Sequence, residues 1–519
     1  MLPVFTADEM RRVDQRAIRE LGIPSATLME NAGRGAARQI VDALPGLALP
    51  RRGARVAIVC GKGGNGGDGL VVARWLKGAG HRVEVFLLAQ PDELRDDAAT
   101  MLARARQRGI RPKVVEDDRV LPGALAGADL VVDAILGTGA RGEPAPRHAR
   151  AIEAINASGR PVVALDVPSG LPADGGPLVG PAVRAVLTTT FAGIKRGLVA
   201  GPAVELAGRV AVVDIGVAAA EVVRGVSTFL VEARDVAPHF PPRPREAHKG
   251  GYGHVLLVAG SVGKTGAAAL AARAAMRAGA GLVTVATAVS AQPVVASLIL
   301  EAMSEPLPET PAHSLALAAR DRLGELAERR DAVALGPGLG LHEDTQALAR
   351  SLVFECARPF VVDADALTAL AGHLERLPGA PAARCLTPHP GEMARMLGVS
   401  VAEVQRDRIA TVRQFATAWH AHVVLKGATS VIGLPDGTVL LNPTGNPGMA
   451  SGGTGDVLTG ILGAFLARDL AAADALIAAV YLHGLAGDVA AERHGQESLV
   501  ASDVIDALGE AFKRTRGAH

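Results

Sequence analysis

The sequence predicts an α/β protein of two domains, each built on a parallel sheet covered by helices. Short apolar segments alternate with helical segments, as in the predicted strands at residues 55–60, 130–135 and 254–259. These strands are continuously apolar rather than alternating, which is typical of strands buried on both faces. At 519 residues, the chain is also longer than one hydrophobic core usually supports.

A proline-rich segment separates two runs of this alternation. Around residues 217–250 the pattern stops, and four prolines lie between positions 238 and 244 among charged residues. Such a composition is typical of a connection between domains. The sequence therefore predicts one domain over residues 1–222 and a second over residues 223–519.

The first run begins with helices over residues 5–44, where Thr6 and Glu9 form a T-x-x-E capping box. Strands and helices then alternate along the N-terminal domain. The predicted strands lie near residues 55–60, 82–88, 113–115, 130–135 and 161–167. Of the three later helices, one ends near Gly78 and the others lie near residues 92–108 and 147–158.

The second run starts at residue 254 and contains a long alanine-rich helix that ends near Ala278. No fixed repeat of 20–50 residues is present, which argues against a solenoid. Its predicted strands lie near residues 254–259, 281–286, 331–335, 359–362, 423–425 and 431–434.

Composition argues against several classes of partner. The chain has 54 Lys and Arg against 53 Asp and Glu, and only 3% aromatic residues, so neither nucleic acid nor an acidic membrane surface is an expected partner. No apolar run reaches the ~20 residues of a spanning helix, and the N-terminus lacks an apolar signal-peptide core. Three scattered cysteines fit reduced thiols, so we expect a cytoplasmic protein. A homo-oligomer is a separate expectation.

The glycine-rich stretch from Asn442 to Asp456 is the most informative segment of the C-terminal half. An apolar helical segment follows it, so its backbone N–H groups are expected at a helix N-terminus, which favours an anion. A carboxylate there is electrostatically out of place unless its basicity is used. The loop therefore predicts phosphate chemistry with Asp456 as a base.

A second glycine-rich segment, GKGGNGGDG at residues 61–69, follows the first predicted strand. It contains G-x-G-x-x-G, and Glu84 lies where a ribose-binding acid of a dinucleotide site would be. The alternative is a tight strand-to-helix turn capped by Asp68. Asn65 and Asp68, however, add polar groups that a plain dinucleotide fingerprint does not require.

Two further strands of this domain end in aspartate. Asp133 precedes a glycine loop at 137–143, and Asp166 precedes Ser169 and Gly170. The carboxyl ends of parallel strands meet at one edge of the sheet, so these loops are expected to share a crevice. Each aspartate alone could cap a helix, but oxygen ligands gathered in this way also suit a cation.

These three N-terminal motifs, in this order, resemble the epimerase domain of the bifunctional NAD(P)H-hydrate repair enzymes over residues 5–220. The resemblance implies a Rossmann-like three-layer α/β/α fold. It implies that Asn65, Asp133 and Ser169 hold K⁺ and that Asp166 is catalytic as a proton shuttle. The residues it implies for contact with the hydrated dinucleotide are Gly66, Gly67, Asp68, Gly69, Gly137, Thr138, Gly139, Ala140, Arg141, Gly142, Glu143 and Asp166.

The C-terminal half carries several polar loops after predicted strands. The segment GSVGKTG at 260–266 is not a P-loop, because that motif would need a glycine where Val258 stands. His389 lies between two prolines, which suggests positioning rather than packing, although a lone histidine is more often structural. Lys426 after a strand could reach a phosphate, but as an isolated surface lysine it would carry no meaning.

HKGGYG, GPGLG, DADAL, LTPHPGE, VVLKGATS and the 442–460 motif, in this order, resemble the ADP-dependent NAD(P)H-hydrate dehydratases over residues 245–515. The resemblance implies a ribokinase-like α/β/α fold, with Ala267, Gly338 and His389 contacting the hydrate. Asp456 would contact the hydrate and act as the catalytic base, with Mg²⁺ neutralising the transferring phosphoryl group. The residues implied for ADP are Lys426, Gly427, Ala428, Thr429, Ser430 and Gly455.

Three functions follow as hypotheses. The favoured one is repair of hydrated NADH and NADPH, with an epimerase followed by a dehydratase that converts ADP to AMP and phosphate. The second is a ribokinase-like small-molecule kinase with a nucleotide-binding N-terminal domain and a stable phosphoester product. The third is a nucleotide-responsive binding protein without turnover, which an intact Asp456 argues against.

Overall fold

A computed structural model describes residues 1–117, 119–201 and 203–517. The chain forms two units, one spanning Leu2–Val226 and the other beginning at Ser227. Both units contain a mainly parallel sheet with helices between its strands, which confirms the predicted two-domain α/β class.

The sheet of the N-terminal unit is entirely parallel, with strand order β4-β3-β2-β5-β6-β7-β9, and β1 pairs in parallel with β8. The strands are β1 (Leu2–Phe5), β2 (Arg55–Cys60), β3 (Arg82–Leu87), β4 (Lys113–Val114), β5 (Leu130–Ala134), β6 (Val162–Leu165), β7 (Leu187–Phe191), β8 (Ile194–Lys195) and β9 (Arg209–Val213). The helices are α1 (Ala7–Arg19), α2 (Ser25–Ala43), α3 (Gly64–Gly78), α4 (Asp96–Gln107), α5 (Val120–Ala126), α6 (Pro146–Ala157) and α7 (Ala219–Val223).

The order of these strands creates a crevice at a defined place. The chain runs outward from β2 to β4 and then returns to place β5 on the other side of β2. In such sheets ligands bind where the order reverses, beyond the carboxyl ends of the strands. The loops after β2 and β5 therefore flank the expected binding crevice. At the start of the unit, Thr6 and Glu9 form the predicted capping box on α1.

The C-terminal unit has strand order β13-β12-β11-β14-β15-β16-β17-β18-β19-β10, with only β18 antiparallel to its neighbours among these pairs. The strands are β10 (Thr228–Leu230), β11 (His254–Val258), β12 (Leu282–Ala288), β13 (Met303–Leu307), β14 (Ala332–Leu335), β15 (Phe360–Val362), β16 (Arg384–Leu386), β17 (His422–Leu425), β18 (Ser430–Gly433) and β19 (Val439–Asn442). The helices are α8 (Ala233–Val236), α9 (Thr265–Arg277), α10 (Gln292–Leu298), α11 (Arg320–Glu328), α12 (Glu343–Glu355), α13 (Ala364–Leu370), α14 (Pro390–Leu397), α15 (Val401–Arg406), α16 (Arg408–Ala418), α17 (Thr454–Ala467), α18 (Ala472–His494) and α19 (Ala501–Gly517).

Helices α17 and α18 form much of the core of this unit. Nearly every residue of α17 after Asp456 is buried, which fixes the helix axis and hence the direction of its N-terminus. Among the described residues, α18 is the one helix long and apolar enough to cross a membrane, and 67% of its most apolar window is buried in the unit. Buried core helices pass the same test of length and composition.

Candidate functional sites

The first candidate site lies in the N-terminal unit, where a cavity of about 590 Å³ opens at the expected crevice. Its walls come from α1 and α2, from the first turns of α3, and from the loops after β5 and β6. Side chains and backbone of Asn65, Asp68, Thr138, Ala140 and Asp166 line it. The loops that the sequence placed at strand ends therefore meet around one cavity.

Asp133 ties two of these loops together beneath the cavity. It ends β5, is fully buried, and accepts hydrogen bonds from the Ser169 hydroxyl at 2.6 Å and the Ser169 backbone N–H at 2.8 Å. Burial raises the pKa of Asp133 to about 6, although the bonds from Ser169 lower it. Asn65, in the first turn of α3, is linked to the loop after β5, because its side-chain amide donates a hydrogen bond to the Leu136 carbonyl at 2.8 Å.

Asp166 lies directly after β6 in a left-handed backbone conformation, φ +65°. Its Oδ2 accepts hydrogen bonds from the Thr138 backbone N–H at 2.9 Å and from the Thr138 hydroxyl. Its Oδ1 lies 2.6 Å from the ammonium of Lys195, a residue that is 1% exposed. Burial would raise the pKa of Asp166, but Lys195 and Thr138 together hold that pKa below its usual value.

Several residues implied by the resemblance lie away from the cavity wall. The predicted glycine loop is mostly helix, because α3 already begins at Gly64, so Asp68 lies inside the helix and does not cap it. A Cβ on Gly66 would meet the Gly61 carbonyl oxygen at 1.9 Å. Gly67 and Gly69 likewise face Met29 and Ala134. These glycines allow α3 to pack closely, and the cavity wall is formed by their neighbours.

Of the other N-terminal residues implied by the resemblance, some line the cavity and some do not. Gly137, Gly139 and Ala140 line the cavity, whereas Arg141, Gly142 and Glu143 are exposed. Arg141 pairs with Asp8 at 2.9 Å. Glu84, the ribose-binding acid of the dinucleotide interpretation, lies within β3 before the strand ends and pairs with Lys113 at 3.1 Å. That interpretation therefore has no acid at the carboxyl end of the sheet in this position.

The second candidate site lies in the C-terminal unit around the N-terminus of α17. The helix begins at Thr454, its N-cap Gly453 adopts φ +93°, and Asp456 lies in the first turn. The free N–H groups of this turn and the helix dipole favour an anion, as the sequence predicts. Burial and the charge of Asp363 raise the pKa of Asp456 to about 7, against the opposing effect of Lys426.

Lys426 follows β17 and points its ammonium toward the same place. Its Nζ lies 3.0 Å from Asp363 Oδ1 and 3.8 Å from Glu392 Oε2. Burial lowers the pKa of Lys426, but these two carboxylates outweigh that effect and raise it. A Cβ on Gly455 would lie 3.3 Å from the Lys426 Nζ, so the ammonium and the start of α17 border one small space.

His389 caps a second helix beside this space. Its Nδ1 accepts a hydrogen bond from the Gly391 backbone N–H at 3.0 Å, so the neutral ring carries its proton on Nε2. That nitrogen lies 3.4 Å from Glu392 Oε1, and the backbone N–H of His389 donates to Glu392 Oε2 at 2.8 Å. The side chain is 55% exposed, so this histidine is oriented by its own helix yet accessible to a ligand.

Arg408 makes hydrogen bonds to backbone carbonyls within and next to the loop at residues 426–430. Its guanidinium donates to the carbonyls of Ala428 at 2.6 Å and Leu425 at 3.0 Å. The backbone N–H of Lys426, at the start of the loop, donates to the Pro388 carbonyl at 2.9 Å. Ala267 and Gly338 lie together elsewhere at the strand ends, since a Cβ on Gly338 would be 3.1 Å from that of Ala267.

Sequence reasoning missed three charged residues of these sites. Lys195 is buried on the two-residue strand β8 in a segment that carries no clear periodicity. Asp363 was placed after a strand but given no role, although it accepts hydrogen bonds from Thr387 and Thr459, each at 2.7 Å. Asp14 lines the N-terminal cavity, and its signal was a charge on the apolar face of α1 beside Met10.

Two protein-family models match the chain. The one described as NAD(P)H-hydrate dehydratase matches residues 255–509, and the one described as YjeF-related protein N-terminus matches residues 25–197. The first covers the C-terminal site, and the second covers the N-terminal cavity except for the wall formed by α1 and Ile215. The solved ADP/ATP-dependent NAD(P)H-hydrate dehydratase from Bacillus subtilis is 34% identical, covering 55% of this chain and 98% of its own, with a TM-score of 0.48.

Full-length relatives are also similar to the chain. It is 46% identical to the bifunctional NAD(P)H-hydrate repair enzyme of Moorella thermoacetica, over 97% of this chain and 96% of that one. It is 36% identical to the enzyme of the same description from Escherichia coli, over 97% of this chain and 93% of that one. The chain therefore belongs to the family of bifunctional NAD(P)H-hydrate repair enzymes.

Proposed function

We propose that the chain repairs hydrated NADH and NADPH through two activities. The N-terminal unit interconverts the R and S epimers of the hydrate, and the C-terminal unit dehydrates the S epimer while ADP becomes AMP and phosphate. The observation that carries this proposal is a half-buried carboxylate, Asp456, in the first turn of a helix beside Lys426. The family membership of the whole chain supports both activities together.

Dehydration needs a better leaving group than hydroxide, and the C-terminal site supplies the means to make one. Asp456, with a pKa near 7, takes the proton of the ring hydroxyl, whose oxygen attacks the terminal phosphoryl group of ADP. The first N–H groups of α17 and the ammonium of Lys426 stabilise the charge of the transferring group. The C–O bond then breaks as the ring nitrogen forms C=N, and loss of a proton from the neighbouring ring carbon restores the reduced nicotinamide.

The two cations implied by this chemistry, Mg²⁺ and K⁺, differ in how well the residues present could bind them. Both oxygens of Asp363 already accept hydrogen bonds, so this carboxylate is not free to bind a metal ion. We propose that Mg²⁺ binds together with ADP, through the phosphates whose charge it would neutralise. For K⁺, Asn65 Oδ1 is buried and accepts no hydrogen bond from the described residues. An oxygen left in that state suits a cation, which we propose to be held with Asp133 and Ser169.

The first test replaces Asp456 with asparagine, which keeps the size of the side chain and removes its basicity. We expect Asp456→Asn to abolish ADP-dependent dehydration and to leave epimerisation near the wild-type rate. Asp506→Asn, an exposed substitution on α19, is the matched control. Equal loss of both activities in a folded Asp456→Asn protein would contradict two separate sites.

A panel of phosphoryl donors distinguishes repair from the kinase alternative. Repair of the hydrate with ADP releases AMP, phosphate and reduced nicotinamide, whereas a kinase would accumulate a stable phosphoester. The relatives of the chain favour repair. A cytoplasmic location, a homo-oligomeric state and the absence of nucleic-acid and membrane partners stay predictions from the sequence.

A further inference from the structure

We propose that Asp14, rather than Asp166, transfers the proton at the reacting carbon during epimerisation. This inference rests on the proposed epimerase function and assigns its proton-transfer group. Asp14 belongs to α1, and its side chain lines the N-terminal cavity together with Asp166 and Lys195. A carboxyl that lines the cavity wall can reach a bound ring directly.

Asp166 is poorly suited to proton transfer because both of its oxygens are engaged. Oδ1 lies 2.6 Å from the Lys195 ammonium, and Oδ2 accepts two hydrogen bonds from Thr138. Lys195 is itself fixed, since its Nζ also donates to the Phe191 carbonyl at 2.8 Å and the Thr190 hydroxyl oxygen at 3.1 Å. Asp166 therefore acts as a positioning residue that orients Lys195 and the loop after β5.

Asp14 is in the opposite situation. It lies on the α1 wall of the cavity, one helical turn from Met10 and one from Ile18, which give the wall an apolar surface. None of the described residues donates a hydrogen bond that stabilises its ionised form. Its oxygens are therefore available to a ligand in the cavity.

The charges that face Asp14 come from several elements. Lys195 on β8 and Asp166 after β6 act on it most directly, and Asp68 on α3 lies in the same cluster. Arg11 on its own helix, and Lys62 and His148 on the cavity wall, complete the charged and titratable surroundings. Burial raises the pKa of Asp14 to about 6, with Lys195 opposing the rise. A group with that pKa can both give and accept a proton near neutral pH.

Epimerisation by this route requires only Asp14 and water. The protonated Asp14 gives its proton to the hydroxyl on the carbon next to the ring nitrogen. The C–O bond breaks, water leaves, and the nitrogen lone pair forms a C=N bond. Water then adds to the other face of that carbon, the lone pair returns to nitrogen, and Asp14 carboxylate recovers the proton. The carboxylate of Asp166 remains paired with Lys195 throughout.

The test compares Asp14→Asn with wild type in an assay of epimer interconversion, after subtraction of the rate without protein. We expect a loss of about 10²-fold or more in the catalysed rate, as for removal of a general acid–base group. The ADP-dependent rate on pure S epimer should be unchanged, which shows that the C-terminal unit is intact, and a wild-type circular dichroism spectrum and unfolding transition should show that the N-terminal unit is folded. Glu20→Gln, an exposed carboxylate after α1, is the control and should epimerise normally.

The pH profile separates proton transfer from a structural effect. In wild type, kcat/KM of epimerisation should fall as pH rises through about 6, because the protonated Asp14 starts the reaction. Asp14→Glu should keep this limb, and Asp14→Asn should lose it. Asp166→Asn should be slower but keep the limb at a lower pH, since loss of the Asp166 charge and release of Lys195 both favour ionised Asp14.

Two results would overturn the assignment. One is an Asp14→Asn protein that epimerises within a few-fold of wild type. The other is a limb that disappears in Asp166→Asn and persists in Asp14→Asn. A wild-type protein that shows no epimerisation at all would instead reject the proposed function, so the two failures are distinguishable.

Discussion

Each site contains a lysine, fully buried at Lys195 and half-buried at Lys426, that is paired with an aspartate following another strand. Lys195 pairs with Asp166 at 2.6 Å, and Lys426 pairs with Asp363 at 3.0 Å. A buried ammonium without such a partner would be strongly unfavourable. The pairs therefore hold a positive charge next to a ligand site at a lower cost than an unpaired ammonium would have, and they shift the pKa of a second carboxyl group, Asp14 or Asp456.

The pKa of Asp456 predicts how dehydration depends on pH. Burial and the charge of Asp363 raise that pKa to about 7, and the ionised form is the base. Therefore kcat/KM of the ADP-dependent reaction should fall about tenfold for each pH unit below about 7 and level off above it. A profile that stays flat from pH 5 to pH 8, measured with the S epimer, would argue against Asp456 as the base.

The same raised pKa predicts a stability effect. Between the unfolded pKa near 3.8 and the folded pKa near 7, the folded protein holds a proton on Asp456 that the unfolded chain has lost, so the free energy of unfolding falls as pH rises through this range and levels off above it. Asp456→Asn should raise the free energy of unfolding at pH 8 by on the order of 1–2 kcal/mol and change it little at pH 4. Denaturant unfolding at the two pH values measures the difference, and an equal effect at both would contradict the shift.

At the scale of elements, the start of α17 combines a helix N-terminus with a close approach to Lys426. Gly455→Ala adds a Cβ 3.3 Å from the Lys426 Nζ, within the space assigned to phosphate. We expect the KM for ADP to rise roughly tenfold or more, because a small displacement at a reacting group is costly. Stability should stay within about 1 kcal/mol of wild type, since alanine suits a helix.

Gly324→Ala is the matched control for this substitution. Gly324 lies in α11, and a Cβ there has no neighbour within 4 Å. The variant should show normal kinetics for ADP and a similar stability. If Gly455→Ala binds ADP as wild type does, the phosphate does not lie against the first turn of α17.

The sequence predicted most elements but misjudged where α3 begins. Glycine is a poor helix former, so residues 61–69 read as a loop, whereas α3 starts at Gly64. The reason is tertiary: Gly66 contacts the Gly61 carbonyl, and Gly69 contacts Ala134, where a side chain would clash. Contacts of this kind leave no periodic pattern in the sequence. The short strands β7 to β9 escaped prediction because their segment shows no clear alternation with helices.

Side-chain pairing was also beyond the sequence. The strand-end positions of Asp133, Asp166 and Lys426 could be predicted, because parallel strands bring their carboxyl ends together. The ion pairs of Asp166 with Lys195 and of Lys426 with Asp363 could not, since each pair joins side chains from separate elements of the chain. Motif order therefore located both sites, and the structure supplied the charges that decide which group can move a proton.

At the scale of the whole molecule, the two sites belong to two separate units, Leu2–Val226 and the unit from Ser227 onward. We therefore expect their activities to be lost independently. Asp166→Asn should slow epimerisation but leave the ADP-dependent rate on pure S epimer unchanged. If this variant also lost dehydration while folded, the two active sites would not be independent.

The most direct test of the account is to incubate the protein with a mixture of hydrate epimers, with and without ADP, and to follow reduced-nicotinamide absorbance. With ADP, wild type should convert both epimers completely, and without ADP it should recover none. Asp456→Asn should recover none under either condition. Two results would contradict a two-site repair enzyme. In one, wild type with ADP recovers no reduced nicotinamide. In the other, wild type with ADP consumes the S epimer, and the R epimer then disappears only at the uncatalysed rate.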